Sequence, residues 1–193
     1  MRLVPPCHLF CCVFAALPLL ACSSLTLPPV IHFDTEMTTN IPYAVAETGA
    51  GRFTFSLSCI ATPSNNVEAA FGCDSNLDGA LDLGEMSFTI GWDCGAWFVR
   101  QGCDGVRIEE PYASTNDVKT LLLNLRFGTS GQPRRLEAAA DGQPIFSAIA
   151  AAPPKWLNVR QCNSLRLTGR GLDGHGESFV VGSMIDAVVI RYR

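Results

Sequence analysis

The chain has 193 residues, 48% of them hydrophobic and 17% charged, with a formal net charge of −4. That balance excludes a disordered chain and suits one domain with a buried core. No basic run and no basic-aromatic alternation occurs, so nucleic acid is not an expected partner.

Arg2 precedes an apolar stretch from Leu9 to Leu20, which is too short to span a bilayer comfortably and reads as the core of an export signal. It runs into Leu19-Leu20-Ala21-Cys22, which resembles a bacterial lipobox. The resemblance implies cleavage before Cys22 and lipidation of Cys22, hence membrane attachment through a lipid anchor. Ser23-Ser24 follows in place of an aspartate, which implies the outer membrane or cell surface of a cell envelope. An ordinary secretory signal cut nearby is the alternative. The expected organisation is a signal at 1–21, a tether at 22–29 and a single domain at 30–193.

Of the 9 cysteines, Cys7, Cys11 and Cys12 leave with the signal, and Cys59, Cys73, Cys94, Cys103 and Cys162 remain in the body. An exported compartment permits disulfides. Cys94 and Cys103 flank a short apolar run and would close a hairpin; Cys59 with Cys73 is the next candidate, and the connectivity stays open. No Cys-x-x-Cys and no histidine cluster suggests zinc.

Period-two alternation runs along most of the body. Phe53, Phe55, Leu57 and Cys59 mark one strand face, Val67, Ala69 and Phe71 a second, and Met86, Phe88, Ile90 and Trp92 a third. Leu121, Leu123, Leu125 and Phe127 mark another. Leu136 to Ala140, Asp141-Gly142 and Pro144 to Ile149 read as a hairpin around an Asp-Gly turn. Ser164 to Thr168, Ser178 to Val181 and Ile185 to Tyr192 complete the series. Glu109-Glu110 reads as a solvated strand end. With about ten to twelve short strands and no amphipathic helix, the fold class is all-β: an antiparallel β-sandwich, most simply a jelly roll.

Between the second and third of these faces lies Asp74-Ser75-Asn76-Leu77-Asp78-Gly79-Ala80-Leu81-Asp82-Leu83-Gly84-Glu85. It resembles a calcium loop of the EF-hand type, in which alternate oxygen side chains converge on a hard cation and a glycine makes the sharp turn. Asp74, Asn76 and Asp78, with the Ala80 carbonyl, are the nucleus of the expected calcium site; Asp82 and Glu85 complete it if the exit geometry allows. An EF-hand has a helix on each side. Here both flanks alternate with period two, so the loop is expected to join two strands. Leu77 departs from the usual polar residue at its position. The competing reading is a turn rich in Asp, Asn and Gly that holds no metal.

Residues Ala80 to Glu85 also resemble the Glu-x-Asp-x-x-Glu motif of laminarinase- and lichenase-type glucanases, with Ala80 at the nucleophile position. Retaining chemistry needs both carboxyls, so no enzyme activity is expected. No Gly-x-Ser-x-Gly elbow occurs. His32 reads as a strand-edge histidine, and Asp173, His175 and Glu177 as part of a glycine-rich turn. Trp92 continues a core face, whereas Trp97 and Trp156 are candidates for stacking on a ligand. The hairpin and the Ile185-Asp186 strand resemble a lectin- or laminin-G-like (concanavalin-type) jelly roll. The function expected is an exported, lipid-anchored, calcium-binding module of a bacterial cell envelope that binds glycan or protein. The alternative is a structural envelope component with no small ligand, in which calcium only stabilises.

Overall fold

The computed structural model describes residues 36–42, 51–114, 118–170 and 183–186. The expected export signal, Cys22, the expected tether, His32, the turn expected at 173–177, the strand expected at Ser178 to Val181 and the end of the last expected strand lie outside these residues. In chain order the elements are β1 (Glu36–Pro42), β2 (Gly51–Ile60), β3 (Asn66–Gly72), β4 (Met86–Asp93), β5 (Ala96–Gln101) and β6 (Arg107–Pro111). They continue with β7 (Val118–Phe127), β8 (Pro133–Ala140), β9 (Gln143–Ile145), α1 (Ser147–Ala150), β10 (Ser164–Arg170) and β11 (Ser183–Asp186). Two antiparallel sheets form, one of six strands in the order β1-β10-β3-β4-β5-β6 and one of five in the order β11-β2-β7-β8-β9. The chain is therefore an antiparallel β-sandwich, as the period-two pattern predicts.

The alternating faces meet between the sheets. Phe53, Phe55 and Leu57 of β2 and Leu121, Leu123 and Leu125 of β7 close over Val67, Ala69 and Phe71 of β3 and Phe88, Ile90 and Trp92 of β4. Phe71 sits at the centre: it stacks on Phe88 at 4.8 Å between ring centroids and receives the edges of Phe53 and Phe55 at 5.7 and 5.5 Å. Such offset and edge-to-face pairs add to simple area burial.

Two-residue turns make the tight hairpins. Asp141-Gly142 has φ of 46° and 81°, the double positive φ of a type I′ turn expected for Asp-Gly. Cys94-Gly95 makes the same turn between β4 and β5, with φ of 47° and 108°. The expected strand from Pro144 to Ile149 stops at Ile145: Phe146 takes φ of 56° and opens the four-residue helix α1. Its fully buried ring closes the sandwich there, so packing overrides the local strand pattern.

The cysteine pairings are corrected. Cys59, Cys73, Cys94 and Cys103, the four cysteines of those pairings, are free thiols. Cys94 and Cys103 lie beyond opposite ends of the six-residue β5, and at about 3.3 Å per residue that separation far exceeds the roughly 7 Å limit for bridged Cα atoms. Cys59 faces the core from β2, while Cys73 follows β3 in the other sheet and is exposed. Burial pushes the Cys59 thiol up to about 12, which leaves it inert.

Candidate functional site

The 74–85 loop joins β3 to β4, with a 3₁₀ turn at Leu83–Glu85 before β4 begins. No helix flanks it, as the alternating flanks predict. Leu77 and Gly79 both take positive φ, at 59° and 85°, and fold the loop back on itself. Asp74 is 9% exposed. Its Oδ2 accepts the Gly79 N–H at 3.0 Å, which turns the carboxylate toward the loop interior, and its Oδ1 is buried with no hydrogen-bond partner. Asn163 clamps Asp74 in place: its Oδ1 accepts the Asp74 N–H at 2.7 Å and its Nδ2 donates to the Asp74 carbonyl at 3.2 Å. Asn76 Oδ1 accepts the Asp78 N–H at 3.1 Å, and Asp78 Oδ1 accepts the Ala80 N–H at 2.8 Å.

The far end of the loop is arranged differently. Glu85 Oε1 accepts from the Ser75 N–H at 2.9 Å and the Ser75 hydroxyl at 2.6 Å, while Oε2 accepts the Asp82 N–H at 3.2 Å. These bonds hold the Glu85 carboxyl below the usual glutamate range, with the Ser75 hydroxyl contributing most. Among the described residues no three His, Cys, Asp or Glu side chains gather as a metal cluster. Glu85 thus staples the two ends of the loop and does not join Asp74 and Asp78. The glucanase-like motif is also not strand-borne here, because residues 80–85 precede β4.

The loop arcs back over the outer face of the six-stranded sheet. Leu81 is 1% exposed there. Its N–H donates to Asn40 Oδ1 on β1 at 3.1 Å, and its carbonyl accepts from Arg166 Nη1 on β10 at 3.0 Å. Gly72 makes room: a Cβ there would stand 2.7 Å from Leu81 Cδ1.

Arg166 belongs to a transverse row of that face. Strand register aligns Asn40, Arg166, Ala70, Thr89, Arg100 and Arg107, and beside them Thr168, Glu68, Gly91, Phe98 and Glu109. Phe98 is an aromatic on the outward side of β5, yet it is fully buried. The Arg107 and Arg100 guanidinium groups cover it, 4.4 and 5.4 Å from the ring centroid. Arg107 bridges Asp93 at 2.7 Å and Glu109 at 2.6 Å, and Arg100 reaches Glu68 at 3.5 Å. Burial pushes Asp93 up, but hydrogen bonds from Arg107, Asn66 and Cys94 outweigh it and hold the carboxyl below its ordinary value. Arg100 Nε and Arg166 Nε are buried with no hydrogen-bond partner. Gly91 lies between Glu68 and Phe98 in that row, where a Cβ would run into the Val67 carbonyl.

The stacking assignments are corrected in part. Trp97 is fully buried, edge-on to Trp92 at 5.3 Å, so it has no face to offer a ligand. Trp156 is half-buried and packs on the core. Sequence reasoning missed the outer-face charges. Their signal was present as the polar phase of the same alternation: Asn66 and Glu68, Arg100, Arg107 and Glu109.

No family model matches the chain, and no curated protein matches it. Among solved structures it is similar to sheep galectin-11 in complex with glycerol, at 10% identity and a TM-score of 0.40, covering 82% of this chain and 99% of that one. It is similar to the metal-free carbohydrate recognition domain of Emp46p, at 8% identity and a TM-score of 0.47, covering 82% of each chain. A β-1,3-glucanase from Mycobacterium marinum follows at 16% identity and a TM-score of 0.32, covering 84% of this chain and 67% of that one. The sandwich assignment stands on the strand pairing itself.

Proposed function

We propose that the chain is an exported, lipid-anchored, calcium-binding β-sandwich module whose six-stranded sheet binds a neutral glycan on its outer face. The observation that carries this reading is the seat of the 74–85 loop on that face, through Leu81, Asn40 and Arg166. A calcium ion held by Asp74, Asn76, Asp78 and the Ala80 carbonyl would fix one wall of the face. The buried, unpartnered Asp74 Oδ1 supports the metal, since an orphaned carboxylate oxygen carries a desolvation cost that a cation removes.

The chemistry of the face supports the ligand class. Arg100, Arg107 and Arg166 stand among Glu68, Asp93 and Glu109, so charges of both signs are interleaved on the face. It offers fixed donors beside fixed acceptors, which suits hydroxyl groups better than a polyanion. A glycan array probed with and without chelator tests the proposal. Calcium-dependent binding that Arg107→Ala abolishes is expected; silence in both conditions removes the idea. The burial of Trp92 and Trp97 favours one second reading, a structural envelope module in which calcium affects only stability.

A further inference from the structure

The outer face of the five-stranded sheet is charged differently. Arg52, Arg126 and Arg135 stand directly opposite one another on β2, β7 and β8, with exposed Arg134 adjacent. Like charges placed directly opposite weaken a sheet, so packing does not account for this row. Glu137 lies between two of the arginines, 3.2 Å from Arg126 and 3.3 Å from Arg135. In the register Asp186 stands opposite Arg52. Four arginines against two acids leave a positive patch on a chain whose net charge is −4.

A largely apolar groove of about 650 Å³ adjoins the row, lined by Leu122, Ala139 and Pro144 among others, together with Arg134, Arg135 and Glu137. That volume falls within the roughly 300–1,000 Å³ typical of ligand pockets. On the same side of β7, Val118 is 47% and Leu122 39% exposed.

We infer that this face docks on an anionic phospholipid bilayer, with the arginines on the headgroup phosphates and the groove against the acyl region. Arginine forks match phosphate oxygens in pairs. A soluble polyanion would engage the arginines and leave the groove unused. A second copy meeting this face isologously would set the arginine row near its own image. The inference does not depend on the glycan reading, which concerns the opposite sheet.

Vesicle co-sedimentation tests it, using the chain from residue 22 onward with Cys22→Ser, so that neither the apolar signal segment nor an attached lipid contributes. Phosphatidylcholine vesicles are compared with equimolar phosphatidylcholine and phosphatidylglycerol. Binding to the mixed vesicles alone is expected, weakened by salt. Arg126→Gln and Arg135→Gln should each weaken it about fivefold, and Leu122→Ser should weaken it as well. All three side chains are at the surface, and melting curves check that the variants fold; if an arginine variant does not, Leu122→Ser still decides the matter. Equal binding to both vesicle types, or binding that survives all three substitutions, overturns the inference. So does full displacement by inorganic phosphate, or indifference to Leu122→Ser alone, since either would mean simple anion binding.

Discussion

Calcium should raise the melting temperature by an amount that mass action sets. Extracellular calcium modules bind at about 10⁻⁴–10⁻³ M. At about 10 mM calcium this corresponds to a stabilisation of about 1.4–2.7 kcal/mol, provided the unfolded chain does not bind. For a domain of this size each kcal/mol moves the midpoint by about 2–4 °C, so a shift of about 3–11 °C is expected. The lower half of that range fits the loop better, because Glu85 is engaged with Ser75 and Asp82 and would have to leave them to bind the ion. Asp74→Ala removes the buried Oδ1 together with the acceptor of the Gly79 N–H. The lost hydrogen bond costs about 1 kcal/mol with or without calcium. The informative quantity is therefore the difference between calcium and chelator within each protein. Scanning calorimetry on the native chain, Asp74→Ala and Asp78→Ala should give a clear shift in the first and none in the variants. A shift of equal size in all three, or no shift in any, would refute the assignment of the ion to this loop.

Leu81→Ala should cost about 2–5 kcal/mol, as for a buried leucine, and should loosen the loop from Asn40 and Arg166; urea unfolding measures the first effect and calcium titration the second. Gly91→Ala should destabilise by about 1–3 kcal/mol, because the added methyl meets the Val67 carbonyl, which is backbone and cannot turn aside; urea midpoints decide it. Acid should weaken the fold through Glu85 and Asp93. Both carboxyls lie lower in the folded chain, so their contribution is complete above the unfolded values and is lost as pH falls through the folded ones. The decline should begin below the ordinary glutamate value of 4.5, and Glu85→Gln should flatten part of it in a pH series of melting curves. Reductant should leave the melting temperature unchanged, since Cys59, Cys73, Cys94 and Cys103 are free thiols; a drop on reduction would reveal a pairing that β5 and β3 hold apart.

Much was legible in the sequence because a strand repeats every two residues. Phe53 to Cys59, Val67 to Phe71, Met86 to Trp92 and Leu121 to Phe127 declared their faces by alternation alone, and all but Met86, which pairs with Gly72 beyond a register shift, lie in the core. Asp141-Gly142 announced its turn through the φ its residues tolerate. The alternation flanking Asp74 to Glu85 also showed that the loop joins strands, since no local pattern there supports a helix.

Register and burial came from the tertiary structure alone. Alternation says which residues share a face of one strand, but not which strand lies next to it. Arg166 of β10 and Arg100 of β5 therefore fall into one row only once β3 and β4 are placed between them. The same pairing set Arg52, Arg126 and Arg135 side by side. Trp97 looked available for a ligand until the facing sheet covered it, and Phe98 was covered by arginines from its own strand and the next. Local chemistry determined which residues could turn, alternate or carry an oxygen. Contacts between residues distant in the chain decided which of those oxygens and guanidinium groups share a surface, because that depends on strand order, which no single segment encodes.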